Sequence, residues 1–257
     1  MSSPELRKHE QFASRFLRNR RDIVVYLPPS YGSQERRRFP VLYLQDGQNL
    51  FEGETSFIPG QYWRVGETAD ECILGGEVEP LIIVGIYNAG KSRVREYTPW
   101  RDARHGGGGA DRYAKFLTEE LMPLVQASYR VKHEPAETGI GGSSLGGLLS
   151  LYVGLKMPQA FGKIAALSPS VWWDRGRIQR FVSGAKPALR PKLWLDVGTQ
   201  EGPRTADQVE RFRDVLVLKG WMLERDLHFE SIEGAEHNEA AWARRVGPFL
   251  RFLFPAK

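Results

Sequence analysis

The chain has 257 residues, enough for one α/β domain that buries a large core without covalent staples. Its one cysteine, Cys72, excludes an internal disulfide and, beside Ile73 and Leu74 in a helix-like stretch, reads as a buried structural thiol rather than a nucleophile. The net charge of +5 is scattered over Arg36, Arg37 and Arg38, then Arg101 and Arg104, then Arg244 and Arg245, which argues against a nucleic-acid partner, since that would concentrate the charge on one element. These arginines read as a solvated basic surface, with attraction of an anionic substrate as the sharper alternative.

Residues 1–11 are polar and lack the apolar core of a signal peptide. No apolar run reaches membrane-spanning length, so a soluble, cytoplasmic protein with no membrane partner is expected. Residues 12–17 and 22–27 flank Arg18-Asn19-Arg20-Arg21 and predict an opening antiparallel hairpin, ended by Pro28-Pro29. Residues 41–44 form a short strand running into Asp46-Gly47, residues 62–74 a helix, and residues 81–86 a strand of the kind buried on both faces. A glycine- and arginine-rich loop spans 87–110, and Asp111 caps a helix running to about Ala127. Strands follow at 138–142, 163–167, 192–197 and 226–232, with helices at 144–157, 205–219 and 239–254. The alternation predicts a single α/β domain over residues 1–257, with a mostly parallel sheet, an antiparallel N-terminal hairpin and helices on both faces.

Gly142-Ser143-Ser144-Leu145-Gly146 carries the one G-x-S-x-G pattern, centred on Ser144, between a predicted strand and a predicted helix. A nucleophile elbow needs that context, and its tight turn needs small neighbours such as Gly142 and Gly146. The helix start favours negative charge, so the Leu145 amide is a candidate oxyanion donor. The second donor is the Gln48 amide, in the loop after the third strand, where Gly47 allows close approach to substrate. A serine nucleophile needs a base, and in this chain order the base follows it. His237, in the loop after the last strand, is preferred to His228, which sits inside that strand. The acid is expected after the strand 192–197: Glu201 is the choice, with Asp196 and Asp207 as rivals. His105-Gly106-Gly107-Gly108 imitates an oxyanion motif but follows the wrong strand and reads as a flexible surface loop. No metal-ligand spacing and no P-loop are present, so no metal or cofactor is expected.

Tyr43-Leu44-Gln45-Asp46-Gly47-Gln48-Asn49-Leu50-Phe51, Arg95-Glu96-Tyr97-Thr98-Pro99, Gly142-Ser143-Ser144-Leu145-Gly146-Gly147, Ser168-Pro169-Ser170-Val171-Trp172-Trp173 and Glu236-His237-Asn238 together resemble the esterase D branch of the α/β-hydrolases. That branch includes enterochelin (siderophore) esterases, feruloyl and acetylxylan esterases, S-formylglutathione hydrolases and mycolyltransferases. The resemblance implies an α/β-hydrolase fold, Ser144 as nucleophile, His237 as base, Glu201 as the acid in a Gly-Thr-x-acid turn, and Leu145 and Gln48 as oxyanion donors. The short stretch from Ser168 to the next strand leaves no room for a cap domain, so an open site is expected. Trp173 and Arg95 are the substrate-binding candidates, Trp172 being the alternative wall beside Trp173, with packing of both rings and pairing of Arg95 to Glu96 as the plainer readings. The expected function is hydrolysis of a small-molecule carboxylic ester, on a siderophore or a carbohydrate. Acyl transfer to an alcohol and a non-catalytic binding protein are the alternatives.

Overall fold

The computed structural model describes residues 4–184 and 189–256. Its strands are β1 (Glu5–Ser14), β2 (Asn19–Leu27), β3 (Val41–Gln45), β4 (Ile82–Ile86), a two-residue ribbon of β5 (Arg101–Asp102) and β6 (Gly106–Gly107), then β7 (Thr138–Ser143), β8 (Lys163–Leu167), β9 (Lys192–Gly198) and β10 (Leu227–Ile232). All but the ribbon join one sheet in the order β1-β2-β4-β3-β7-β8-β9-β10. β2 is antiparallel to both β1 and β4, and every pairing from β4 through β10 is parallel.

The helices are α1 (Val65–Leu74), α2 (Arg93–Tyr97), α3 (Ala110–Phe116), α4 (Met122–Ser128), α5 (Leu145–Lys156), α6 (Trp173–Gly184), α7 (Pro203–Leu218), α8 (Glu239–Ala243) and α9 (Val246–Leu253). Successive strand residues face opposite sides of the sheet. Val41 and Tyr43 therefore join a core with Phe116 of α3, Leu148 and Leu149 of α5 and Phe212 of α7. Leu42 and Leu44 join a second core with Val65 of α1 and Phe249 and Leu250 of α9. Burial on both faces explains why β3, β4 and β7 are buried at every residue.

The hairpin forms, but β1 begins at Glu5 rather than residue 12. It is an edge strand whose outer residues are charged, a guard against edge-to-edge pairing that also erases its apolar signal. The loop 87–110 contains α2 and the β5–β6 ribbon. Asp111 does not cap α3, which starts at Ala110 with Gly109 at its N-cap; its carboxylate instead accepts from Tyr152 Oη (2.8 Å) and Lys156 Nζ (2.7 Å). The helix expected from there continues through a π turn at Leu117–Leu121 into α4, the widening falling just before Pro123, which cannot join a regular α ladder. The last helix is two, α8 and α9. Pro248 has no N–H to give to the carbonyl of Arg244, so a continuous helix is broken there.

Candidate active site

β7 ends in a tight turn into α5. Ser144 sits at φ 55°, ψ −122°, a strained conformation for a residue with a Cβ. The crowding around it explains its glycines: a Cβ on Gly142 would lie 3.0 Å from the Gly146 carbonyl carbon and from Gln45 Cβ. The turn is stitched to its neighbours by Ser144 N–H donating to Leu167 O (3.0 Å) and Ser170 N–H donating to Ser144 O (2.9 Å). The Ser144 hydroxyl lies 3.4 Å from that of Ser170. It forms no hydrogen bond to His237 in this structure. Leu145 opens α5, where the first backbone N–H groups have no intrahelical partner.

β9 leads into a 3-10 turn, Thr199–Glu201, whose last residue turns its carboxylate inward. Glu201 Oε2 lies 2.7 Å from His237 Nδ1; the acid's side chain is fully buried while the imidazole is 40% exposed. An ionised carboxylate only accepts, so Nδ1 carries the proton and Nε2 is left with its lone pair. Burial alone would raise the Glu201 pKa, but hydrogen bonds from His237, Ser168 and the Gly198 amide outweigh it and hold the carboxyl below the usual range. The loop after β10 that carries His237 is tied to the acid turn by Gln200 N–H donating to Ala235 O (3.0 Å) and Gly234 N–H donating to Thr199 Oγ1 (2.9 Å). Trp242 meets the imidazole edge-to-face at 4.9 Å.

The other rivals take structural places. Asp196 is wholly buried, held by Trp194 Nε1 (2.7 Å) and by Arg245 Nη1 (2.6 Å), and burial pushes its carboxyl up against the pull of Arg245. Asp207 pairs with Arg211 on the surface of α7. His228 stacks on Trp194 and pairs with Glu224.

Ser144 and His237 line one cleft of about 300 Å³, together with Gln48, Phe57, Arg93 and Glu239. Gln48 lies in the 3-10 turn Gly47–Asn49 after β3. Packing alone requires Gly47 there, since a Cβ would sit 2.6 Å from the backbone of Gly85 and Ile86. The turn is clamped from below: Asp46 receives Arg93 Nε (2.8 Å) and Nη2 (2.7 Å) and Asn88 Nδ2 (2.8 Å). Burial works against the Arg93 cation, but Asp46 outweighs it and the guanidinium pKa rises. Asn49 Nδ2 donates to Glu239 (3.2 Å), whose carboxyl is pushed up mainly by burial.

Both substrate-binding candidates fall outside the cleft. Arg95 is exposed and does not line the cleft; its neighbour Arg93 does. Nor does Glu96 pair with Arg95, because it is buried against Arg21 at 2.9 Å. Trp173 is a core residue, 2% exposed, that donates to Trp100 O (2.8 Å) instead of walling the cleft. The sequence 105–108 lies outside the cleft as well: His105 pairs with Asp102 and packs against Trp172 and Trp173, and Gly106–Gly107 forms β6.

The sequence reading missed Ser168, Ser170, Arg93, Glu239 and Arg245. Arg245 is a correction to the solvated-surface reading: its side chain is 3% exposed and bridges Asp196 and Glu201. A signal existed in Leu193-Trp194-Leu195-Asp196-Val197, where a carboxylate inside an apolar strand demands a buried cationic partner.

A family model described as putative esterase matches residues 14–250. The uncharacterized protein YbbA of Bacillus subtilis is 33% identical over 199 residues, covering 75% of this chain and 73% of that protein. The ferri-bacillibactin esterase BesA of the same organism is 32% identical over 216 residues, covering 76% and 71%. The siderophore hydrolase EstA from Aspergillus nidulans shares the fold with a TM-score of 0.76 at 22% identity, over 96% of this chain and 94% of that one. A ferulic acid esterase from Anaeromyces mucronatus does so with a TM-score of 0.74 at 18% identity, over 98% and 91%. The chain belongs to the putative esterase family, has the α/β-hydrolase fold, and is a carboxylic ester hydrolase.

Proposed function

We propose that the chain cleaves esters through a covalent acyl-enzyme on Ser144, with His237 as base, Glu201 as the orienting acid, and the amides of Leu145 and Gln48 as the oxyanion hole. The observation that carries this reading is the strained serine at φ 55° in the same cleft as an imidazole whose Nδ1 is 2.7 Å from a buried carboxylate. When an ester enters, the Ser144 hydroxyl turns from Ser170 toward Nε2, a contact that free enzymes often leave loose. His237 takes the proton as Oγ attacks the carbonyl carbon, and Glu201 stabilises the imidazolium. The carbonyl oxygen gathers negative charge against the helix start at Leu145 and the turn at Gln48. The imidazolium then protonates the leaving alcohol, and the neutral imidazole activates water to release the acid.

Resemblance to a ferri-bacillibactin esterase favours a siderophore ester as substrate, with carbohydrate-linked esters the alternative. The open cleft, rimmed by the 81%-exposed Phe57, fits a bulky ester of either kind. The test is a panel of a p-nitrophenyl ester, a feruloyl ester, an acetylated sugar and a ferric catecholate lactone, run with wild type and Ser144→Ala. The wild type should favour the lactone, and kcat should fall by roughly 10⁴-fold or more in the variant. A folded, fully active Ser144→Ala enzyme contradicts the mechanism; preference for the sugar ester contradicts the substrate.

A further inference from the structure

The carboxylate of Glu201 has a second set of partners, on the side away from the imidazole. Its Oε1 accepts from the Gly198 amide (2.8 Å) and from the Ser168 hydroxyl (2.5 Å), with Arg245 Nη2 at 3.5 Å. Ser168 Oγ in turn accepts from Arg245 Nη1 (2.7 Å) and from Trp242 Nε1 (3.2 Å). A hydroxyl has one proton and two lone pairs. With both acceptor positions taken by N–H donors that cannot reverse, the Ser168 proton has one direction left, toward Glu201. Arg245 Nη1 also reaches Asp196 Oδ1 at 2.6 Å, so one guanidinium serves two buried carboxylates.

We propose that Arg245 is a positioning residue for ester hydrolysis: by fixing the polarity of Ser168 and sharing its charge between Asp196 and Glu201, it holds Glu201 in the one rotamer that presents Oε2 to His237. This rests on the triad reading above. The guanidinium is suited to the task because its planar fork offers donors in several fixed directions, which an ammonium does not. The break between α8 and α9 gives it the approach, since Arg245 occupies that break with its side chain directed into the protein. Arg245 does not line the cleft where Ser144 and His237 meet, so its influence on the reaction runs through Glu201.

The test is a double-mutant cycle on folded enzyme, its active sites counted by fluorophosphonate labelling. Arg245→Met should lower kcat by about ten- to a hundredfold, the cost of a small misplacement of a catalytic group, and leave KM within about twofold. In a Glu201→Ala background the same substitution should have no further effect on kcat, because the group it positions is gone. If Arg245→Met does not fold, Arg245→Lys takes its place: a single ammonium nitrogen lacks the two-nitrogen fork by which Arg245 reaches Asp196 and Ser168 through Nη1 and Glu201 through Nη2, so a several-fold kcat loss is expected, again absent beside Glu201→Ala. An unchanged kcat in the folded variant overturns the proposal, as does a loss of equal size in both backgrounds. If Glu201→Ala itself leaves kcat untouched, the triad reading fails first.

Discussion

Replacing Ser144 by glycine should stabilise the protein relative to replacing it by alanine, although both variants lose the hydroxyl. At φ 55°, ψ −122° a residue with a Cβ carries strain of roughly 1–3 kcal/mol, and glycine relieves it. Against this stands the greater freedom of glycine in the unfolded chain, about 0.5–1 kcal/mol. The contact to Ser170 is lost equally in both variants and cancels. The expected difference is about 1 kcal/mol in favour of Ser144→Gly, which for a chain of this size is a rise in Tm of about 2–4 °C. The assay is thermal unfolding of the two inactive proteins side by side by calorimetry. A Ser144→Gly melting point equal to or below that of Ser144→Ala refutes the claim that the elbow stores strain.

Glu96→Gln leaves the buried Arg21 without its countercharge, and urea unfolding should show a loss of about 3–5 kcal/mol; a loss below 1 kcal/mol contradicts the buried-pair assignment. Glu201 has a folded-state pKa below its unfolded one, so its contribution to stability is complete above the ordinary carboxylate range and is lost as pH falls through the lower folded value. Melting curves should therefore show the margin of wild type over Glu201→Gln shrinking as pH falls below about 4.5; a margin that grows over that interval has the wrong sign. Arg93→Ala should lower kcat about tenfold or more by loosening the Gln48 turn, whereas Arg95→Ala should leave kcat and KM as they are. Steady-state kinetics on the two single variants decides between them.

Much of the sheet was legible because its central strands are buried on both faces and so read as continuous apolar runs: residues 163–167 were bounded as β8 is, and 81–86 within one residue of β4. β1 was legible only in part, since a charged edge carries no such run. Ser144 is legible from its G-x-S-x-G pattern, and Glu201 and His237 from their place in the loop after a strand; the structure brings Glu201 and His237 within hydrogen-bond distance. Arg93 is not legible beside Arg95 because α2 is five residues long, too short for a sequence pattern to show which side faces the cleft. Trp173 and Trp172 are equivalent in the sequence, and what separates the buried ring from the exposed one is the hydrogen bond of Trp173 to Trp100 O, since His105 packs against both. Arg245 was hidden for a different reason: a charged residue beside Arg244 looks solvated until Asp196 and Glu201 are seen converging on it.

The covalent step at Ser144 is open to direct observation. The enzyme would be quenched in acid within milliseconds of mixing with a p-nitrophenyl ester, digested, and its peptides mapped by mass spectrometry. The expected result is an acyl adduct on the peptide containing Ser144, absent from Ser144→Ala and accumulating in Glu201→Ala only as fast as that variant turns over. Full ester turnover with no adduct on that peptide, or an adduct on another residue, would contradict the assignment of Ser144 as the nucleophile.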